Sequence, residues 1–431
     1  MYAGVSGLDA ESNALGVIGN NISNSNTVGF KESRANFEDV MASAVGSQNT
    51  PGAGVVVGNL QQDFSQGSME TTGNPTDLAI SGNGFFVVNG SVGGVSGNFY
   101  TRAGQTSLNS NGTLVNPNGL AVQGYAMLPN GQVSSQLGNI TVQTAALQPQ
   151  ATQTMSLTAN LDANAGAPAT TPWNPQDPSA TSNFSTTMSV YDSLGNSHQV
   201  SVYFVNDGNN TWDYHVVANG SEVTSPTSTA NTNTEIGTGT LSFTPGGALN
   251  AVTTTTPIAV TFNGASAQTI NVNFGSPIVP TAPSTTVGTG LNGVTQFGET
   301  SQVSAQSQDG YGSGDLTGVQ IGSDGTVSGV YSNGQTIAVA QLAIAKFGSQ
   351  QGLSPSGNSL WAATQQSGPA VLGAAGSGGR GSIVSGSLEQ SNVDIATQFV
   401  NLIAQQRGFE ASSKTITTAD QMLQDLMQVV Q

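Results

Sequence analysis

The 431 residues include 7 Lys and Arg against 24 Asp and Glu, for a net charge of −17, and charged residues make up 7% of the chain, where about 25% is usual for soluble domains. With no Cys and no basic stripe, the composition excludes disulfide scaffolds, thiolate metal sites and thiol catalysis, and argues against nucleic acid as a partner. No apolar run approaches the ~18 residues of a membrane span, and residues 1–30 lack a basic stretch followed by an apolar one, so neither membrane insertion nor a cleavable signal is expected.

At the N-terminus Met1, Leu8, Leu15 and Ile22 recur every seven residues, with Val5 and Ile18 beside them. This spacing predicts an amphipathic helix of roughly 20 residues. It should stop in NNISNSN, because Asn and Ser side chains compete with the helix for backbone hydrogen bonds. The next segment, 31–72, reads as a connecting region, and the paired acids Glu38 and Asp39 as a solvated stretch.

Beyond it the chain reads as strands and tight turns. FFVV (85–88), TLVNPNGLAVQGYAM (113–127), MSVYDSLGNSHQVSVYFV (188–205), TWDYHVV (211–217) and TVSGVYSNGQTIAVAQLAIAKF (326–347) are β-prone, several of them built around Asn-Gly or Gly-Asn pairs. From 148 to 299 the composition turns to Thr, Ser, Asn and Pro. No Lys or Arg occurs between Arg102 and Lys346, a stretch holding eleven acidic residues. That block is expected to be an inserted outer β domain, with 73–147 and 300–378 as the two pieces of an inner one.

At the C-terminus Ile395, Leu402, Phe409, Ile416, Leu423 and Val430 are spaced by seven, supported by Phe399, Leu426 and Met427. Gln406, Ser413 and Asp420 make the second seam polar, so this helix is expected to pack beside others in a larger assembly. SNVD (391–394) fits its start, with Ser391 or Asn392 as N-cap. The expected fold class is mainly β with α-helical termini, a discontinuous multi-domain chain. Its helical parts are 1–30 and, with a connecting segment, 379–431.

Candidate chemistry is sparse. His198 and His215 could bind a metal with Asp192, Asp207 or Asp213, but two strand-surface histidines are the simpler reading. DGYGSGD (309–315) and GSDGT (322–326) lack the ligand alternation of a calcium loop and read as turns. Trp173, Trp212 and Trp361 are scattered as packing residues would be. No enzymatic constellation and no cofactor site stands out.

The stretch SGLDAESNALGVIGNNISNSNTVGFKESRANFED (6–39) resembles the N-terminal signature of the axial rod and hook proteins of the bacterial flagellum. There a helix leads into Asn-Asn-x-x-Asn-x-x-Thr-x-Gly-Phe-Lys. LEQSNVDIATQFVNLIAQQRGFEASSKTITTADQMLQDLMQVV (388–430) is similar to the matching C-terminal signature, and DLAISGNGFFVV, YTRAGQTSLNSNGTLVNPNGLAVQGY and SLWAATQQSG also match. The length, the long insertion and VYDSLGNSHQVSVYF (190–204) favour the hook members over the shorter rod members. Family members commonly carry several more residues before the equivalent of Val5, a departure at the first helical turn.

The resemblance implies a structural subunit that polymerises with itself into a curved, flexible tube, a universal joint passing torque from motor and rod to filament. It implies an inner coiled-coil tube in which Leu8, Leu15, Ile18 and Ile22 face the series Ile395, Phe399, Leu402, Phe409, Ile416, Leu423 and Val430. Asn20, Asn21, Asn24, Thr27, Gly29, Phe30 and Lys31 would form the hinge toward outer β layers. Implied partners are other copies of the chain, a hook cap, the distal rod protein, a hook-filament junction protein and the type III export apparatus, which places the protein in an extracellular appendage. The alternatives are a distal rod protein and, from another class, a secreted β-rich adhesin or binding module.

Overall fold

The structure, a computed structural model, describes residues 2–40, 54–128, 130–224, 232–279 and 287–429. It is mostly β, with a helix of 22 residues at one end (Tyr2–Ser23) and one of 35 at the other (Ile395–Val429). Met1 and Val430, at the ends of the heptad series, lie outside the described residues. Among the described residues no helix is long and apolar enough to cross a membrane.

The N-terminal helix ends where Asn24 turns back on it, donating from Nδ2 to the Asn20 carbonyl at 2.9 Å. The C-terminal helix starts differently from the expectation. Its cap is Asp394, whose carboxylate accepts from the Ala396 and Thr397 N–H groups at 2.9 and 3.3 Å. Ser391 and Asn392 are engaged elsewhere, Ser391 Oγ by the Val393 N–H and Asn392 Oδ1 by the Glu32 N–H.

The chain separates into two compact units, Met1–Thr144 with Thr317–Val330 and Thr336–Gln431, and Ala145–Leu316 with Tyr331–Gln335. The second runs on to Leu316, past the change of composition at 299, because strand Gln302–Gln308 is hydrogen-bonded antiparallel to strand Thr154–Asn160. Together with Gln268–Asn273 and Ile258–Val260 they form one sheet. Its companion is a five-stranded antiparallel meander, Phe184–Tyr191, Ser197–Gly208, Thr211–Asn219, Asn233–Phe243 and Leu249–Thr256. Strict alternation sends Val200, Val202 and Phe204 to one face, and with Trp212, Met155, Leu157, Phe262 and Phe274 they make a single core.

The first unit holds the strands Phe85–Val92, Val95–Thr101, Ala121–Met127, Thr336–Leu342 and Leu360–Ala362 in one large sheet. Its core is aromatic: Phe64 meets Phe85 edge-on at 5.6 Å and Trp361 at 5.1 Å, and Tyr100 meets Phe347 at 4.7 Å. Two short pairings close it. Ser382–Ser385 joins Leu78–Ser81, and Ser387–Glu389 joins Met69–Thr71, both antiparallel. The segment after the first helix forms a separate hairpin, Ser33–Asp39 with Val55–Gln62.

Candidate assembly site at the terminal helices

The two terminal helices run antiparallel. Gly4 faces Thr415 and Ile416, Gly7 faces Ser412, Glu11 faces Gly408, and Asn21 meets Gln398. A Cβ on Gly4 would lie 2.9 Å from Thr415 Oγ1, and one on Gly408 2.7 Å from Glu11 Oε1, so an added side chain at either position must displace a neighbouring side chain of the facing helix. The buried line on the first helix is Gly7, Ala10, Ala14, Ile18 and Asn21. Of the residues expected to face the partner helix, Ile18 lies in this line, while Leu8, Leu15 and Ile22 are half-buried at its flanks. Helices this close leave no room between them for a leucine, which must lie to one side.

On the C-terminal helix Gln398 is buried and Leu402 and Ile416 are half-buried, whereas Ile395, Phe399, Phe409 and Leu423 are exposed, together with Val400 and Ile403. The heptad series is therefore split. Leu402 and Ile416 are partly covered, Ile416 lying against Gly4, and the other four form part of an open apolar face of the kind that marks an interaction site.

The hinge residues do several different jobs. Asn24 Oδ1 accepts from the Thr27 hydroxyl at 3.1 Å, and Phe30 N donates to the Thr27 carbonyl at 3.2 Å, making a local turn. Asn20 supplies its carbonyl and Oδ1 to Asn24. Asn21 reaches further: its side chain accepts from the Ser33 N–H and donates to the Ser33 carbonyl, at 3.0 and 2.8 Å, and to Gln398 Oε1 at 3.3 Å. Gly29 has φ +67°, and any Cβ there would strike the Ala103 backbone nitrogen, so the position requires glycine twice over.

Lys31 ends the hinge in a buried ion triad. Its ammonium lies 2.6 Å from Glu389 Oε1 and 2.5 Å from the Ser65 carbonyl, and Arg102 Nη1 lies 3.2 Å from Glu389 Oε2. Arg102 also donates to the Gly82 carbonyl and sits 5.3 Å from the centre of the Phe85 ring. Burial pushes the Lys31 and Arg102 pKa values down, and Glu389 opposes the push in both. The Gly29 N–H donates to the Glu389 carbonyl at 2.8 Å, so the outgoing and returning chains are tied together by backbone as well as by charge.

Sequence reasoning reached Lys31 but missed Glu389, Arg102 and the glycine seam. The available signal was scarcity: Lys31 and Arg102 are two of only 7 basic residues in the chain, and both stand inside the quoted motifs. The histidines are not simple strand-surface groups. His198 lies 3.2 Å from the buried Asp192 and 2.7 Å from Glu222, stacked on Phe262, and His215 lies 2.6 Å from Glu235, stacked on Trp173. Burial pushes the Asp192 pKa up, but hydrogen bonds from Asn196, His198 and Leu194 outweigh it and hold the group below its ordinary value. Among the described residues no group of three His, Cys, Asp or Glu is placed to hold a metal.

Family models match the chain in four consecutive parts: the flagella basal body rod protein over 1–31, the flagellar hook protein FlgE/F/G D1 domain over 79–156, the flagellar basal body protein FlaE D2 domain over 160–311, and the flagellar basal body rod FlgEFG protein C-terminal region over 384–429. Helical ends of rod type enclosing these two β domains define a flagellar axial protein. The chain is 38% identical to the flagellar hook protein FlgE of Salmonella typhimurium over 426 residues, 98% of each chain, and 34% identical to that of Treponema pallidum over 469 residues, 99% of this chain and 98% of the other. The crystal structure of Helicobacter pylori flagellar hook protein FlgE2 shares the fold, with TM-score 0.51 at 16% identity over 74% of this chain and 100% of that one. The chain belongs to the flagellar hook protein family.

Proposed function

We propose that the chain is the structural subunit of the flagellar hook and polymerises with itself into a tube outside the cell. The observation that carries this reading is the open apolar face of the C-terminal helix, including Phe399, Val400 and Ile403, on a helix already paired along its other side. A single chain gains nothing from exposing such a face, whereas a tube covers it with neighbouring copies. The terminal helices would line the inner tube, with Leu8, Leu15 and Ile22 beside the intrachain seam and Ile395, Phe399, Phe409 and Leu423 between copies. The two β units would form the outer layers, passing torque as a bending joint. Export through a type III apparatus, and contacts with a cap, the distal rod protein and a junction protein, follow from the same reading.

The test is electron microscopy of the concentrated chain beside Phe399→Glu/Ile403→Glu. Curved tubes are expected from the unaltered chain and only monomers from the variant, with both equally helical by circular dichroism. Straight tubes would favour a rod subunit instead, and tubes from the variant would remove the helix face from the interface.

A further inference from the structure

Strand Val371–Gly373 is joined to strand Ser382–Ser385 through the run GAAGSGGRG (373–381). The Arg380 N–H donates to the Ser377 carbonyl at 3.0 Å, closing a turn whose central residues, Gly378 and Gly379, have φ +58° and +74°. Two positive values in succession are those of a type I′ turn, which glycine adopts without strain. The Arg380 side chain folds back over this run, donating from Nε to the Ala374 carbonyl at 3.2 Å and from Nη2 to Ser377 Oγ at 3.1 Å. A Cβ on Gly373 would strike its guanidinium. Arg380 thus fixes the shape of the turn and still keeps Nη1 without a hydrogen bond among the described residues.

A second cation reaches the same turn from the sheet. Strand Ile344–Lys346 pairs antiparallel with Val371–Gly373, with Lys346 opposite Val371. Lys346 Nζ lies 3.0 Å from where a Cβ on Gly379 would sit, and Arg380 Nη2 lies 3.1 Å from the same point on Gly378. Every Asp and Glu of the chain is among the described residues, and none forms an ion pair with either cation. The charged groups on neighbouring segments are already engaged. Asp324, beside the Ser323 carbonyl that accepts from the Ile383 N–H, gives its two oxygens to Thr326, and Arg102 is matched to Glu389. The Lys346 ammonium and the Gly378 and Gly379 N–H groups likewise have no hydrogen-bond partner among the described residues. In a chain of net charge −17 with 7 basic residues, two cations stand at one turn with no counter-charge between them, an arrangement that like-charge repulsion disfavours and a bound anion would offset.

We propose that this turn binds a phosphate group, held by Lys346 Nζ, Arg380 Nη1 and the backbone N–H groups of Gly378 and Gly379. Two cations match a dianion, and a guanidinium, an ammonium and main-chain donors together suit an oxyanion with more than two oxygens. Residues 376–379 are exposed, so the phosphate of a larger ester can enter as well as the free ion. The site uses neither terminal helix and does not depend on the hook-subunit reading.

Titration calorimetry of the full chain with inorganic phosphate, at an ionic strength held constant with chloride, should show one saturable site per chain. Lys346→Gln should weaken binding roughly tenfold or more and leave the thermal melt in chloride unchanged, because the Lys346 ammonium makes no bond that the fold uses. In the unaltered chain the amide resonances of Gly378 and Gly379 should move with phosphate and stay in place with chloride. Glycerol 3-phosphate and phosphatidylcholine vesicles containing phosphatidic acid, offered separately, distinguish a soluble ester from a membrane-borne one, and binding of either supports the site. Lack of saturation, equal affinity of Lys346→Gln and the unaltered chain, or acetate binding as tightly as phosphate would overturn it.

Discussion

The Lys31 ammonium lies 2.6 Å from the Glu389 carboxylate, both side chains fully buried, although 358 positions of chain separate them. Neutralising the carboxylate leaves two buried cations without a counter-charge. Glu389→Gln should therefore destabilise the first unit by about 3–5 kcal/mol. Urea unfolding followed by Trp361 fluorescence, in a background with Trp173 and Trp212 replaced by Phe, would measure it. Lys31→Met should cost less, because Arg102 still pairs with Glu389.

The cap of the C-terminal helix predicts an acid-sensitive step. The Thr397 N–H, the Thr397 hydroxyl and the Ala396 N–H hold the Asp394 pKa below its ordinary value of 3.8. The folded state then binds fewer protons than the unfolded one between the two values. Asp394 stabilisation is complete above pH 3.8 and is lost as pH falls through the folded value. Helix content by circular dichroism should drop in that range, and Asp394→Ala should start lower and show less of the drop. Asp192 and Asp324 shift in the same direction, so the difference between variant and unaltered chain is the quantity to read.

Gly408 separates tolerance from overpacking. A Cβ there meets only the movable end of Glu11, so Gly408→Ala should be neutral or slightly stabilising through helix propensity. Gly408→Leu has no such escape and should cost about 1–3 kcal/mol in a thermal melt. Equal effects of the two variants would show that the seam is looser than the structure indicates.

In the second unit, Trp212 is fully buried among Phe204, Tyr214 and their neighbours. Trp212→Ala should cost about 3–5 kcal/mol, lowering the transition reported by Trp173. The transition reported by Trp361 should stay where it was, since the two tryptophans lie in different compact units. A common shift of both would show that the units unfold as one.

Much of this architecture was legible in residue pattern. The stop of the first helix follows from Asn20 and Asn24, and the hairpin across DSLGN appears with Val190 opposite His198. The seam was not legible, because periodicity weighs Leu8 and Leu15 heavily and Gly4, Gly7 and Gly408 hardly at all, while close approach selects the reverse. The cap was ambiguous locally: Ser391, Asn392 and Asp394 are all competent, and Asn392 is withdrawn by a bond to Glu32, distant in sequence. The ion triad was out of reach for the same reason, since its three members come from three remote segments.

The two short pairings that close the first unit set an order of events. Ser382–Ser385 and Ser387–Glu389 supply the last strands of a unit whose first residues stand at the other end of the chain. A polypeptide delivered N-terminus first can complete the second unit once residue 335 has emerged, while Lys31 and Arg102 still wait for their carboxylate. Under such delivery the unit begun first is finished last, and until residue 389 arrives the early segments stay unlocked, so the order in which the chain emerges would set the order in which its units close.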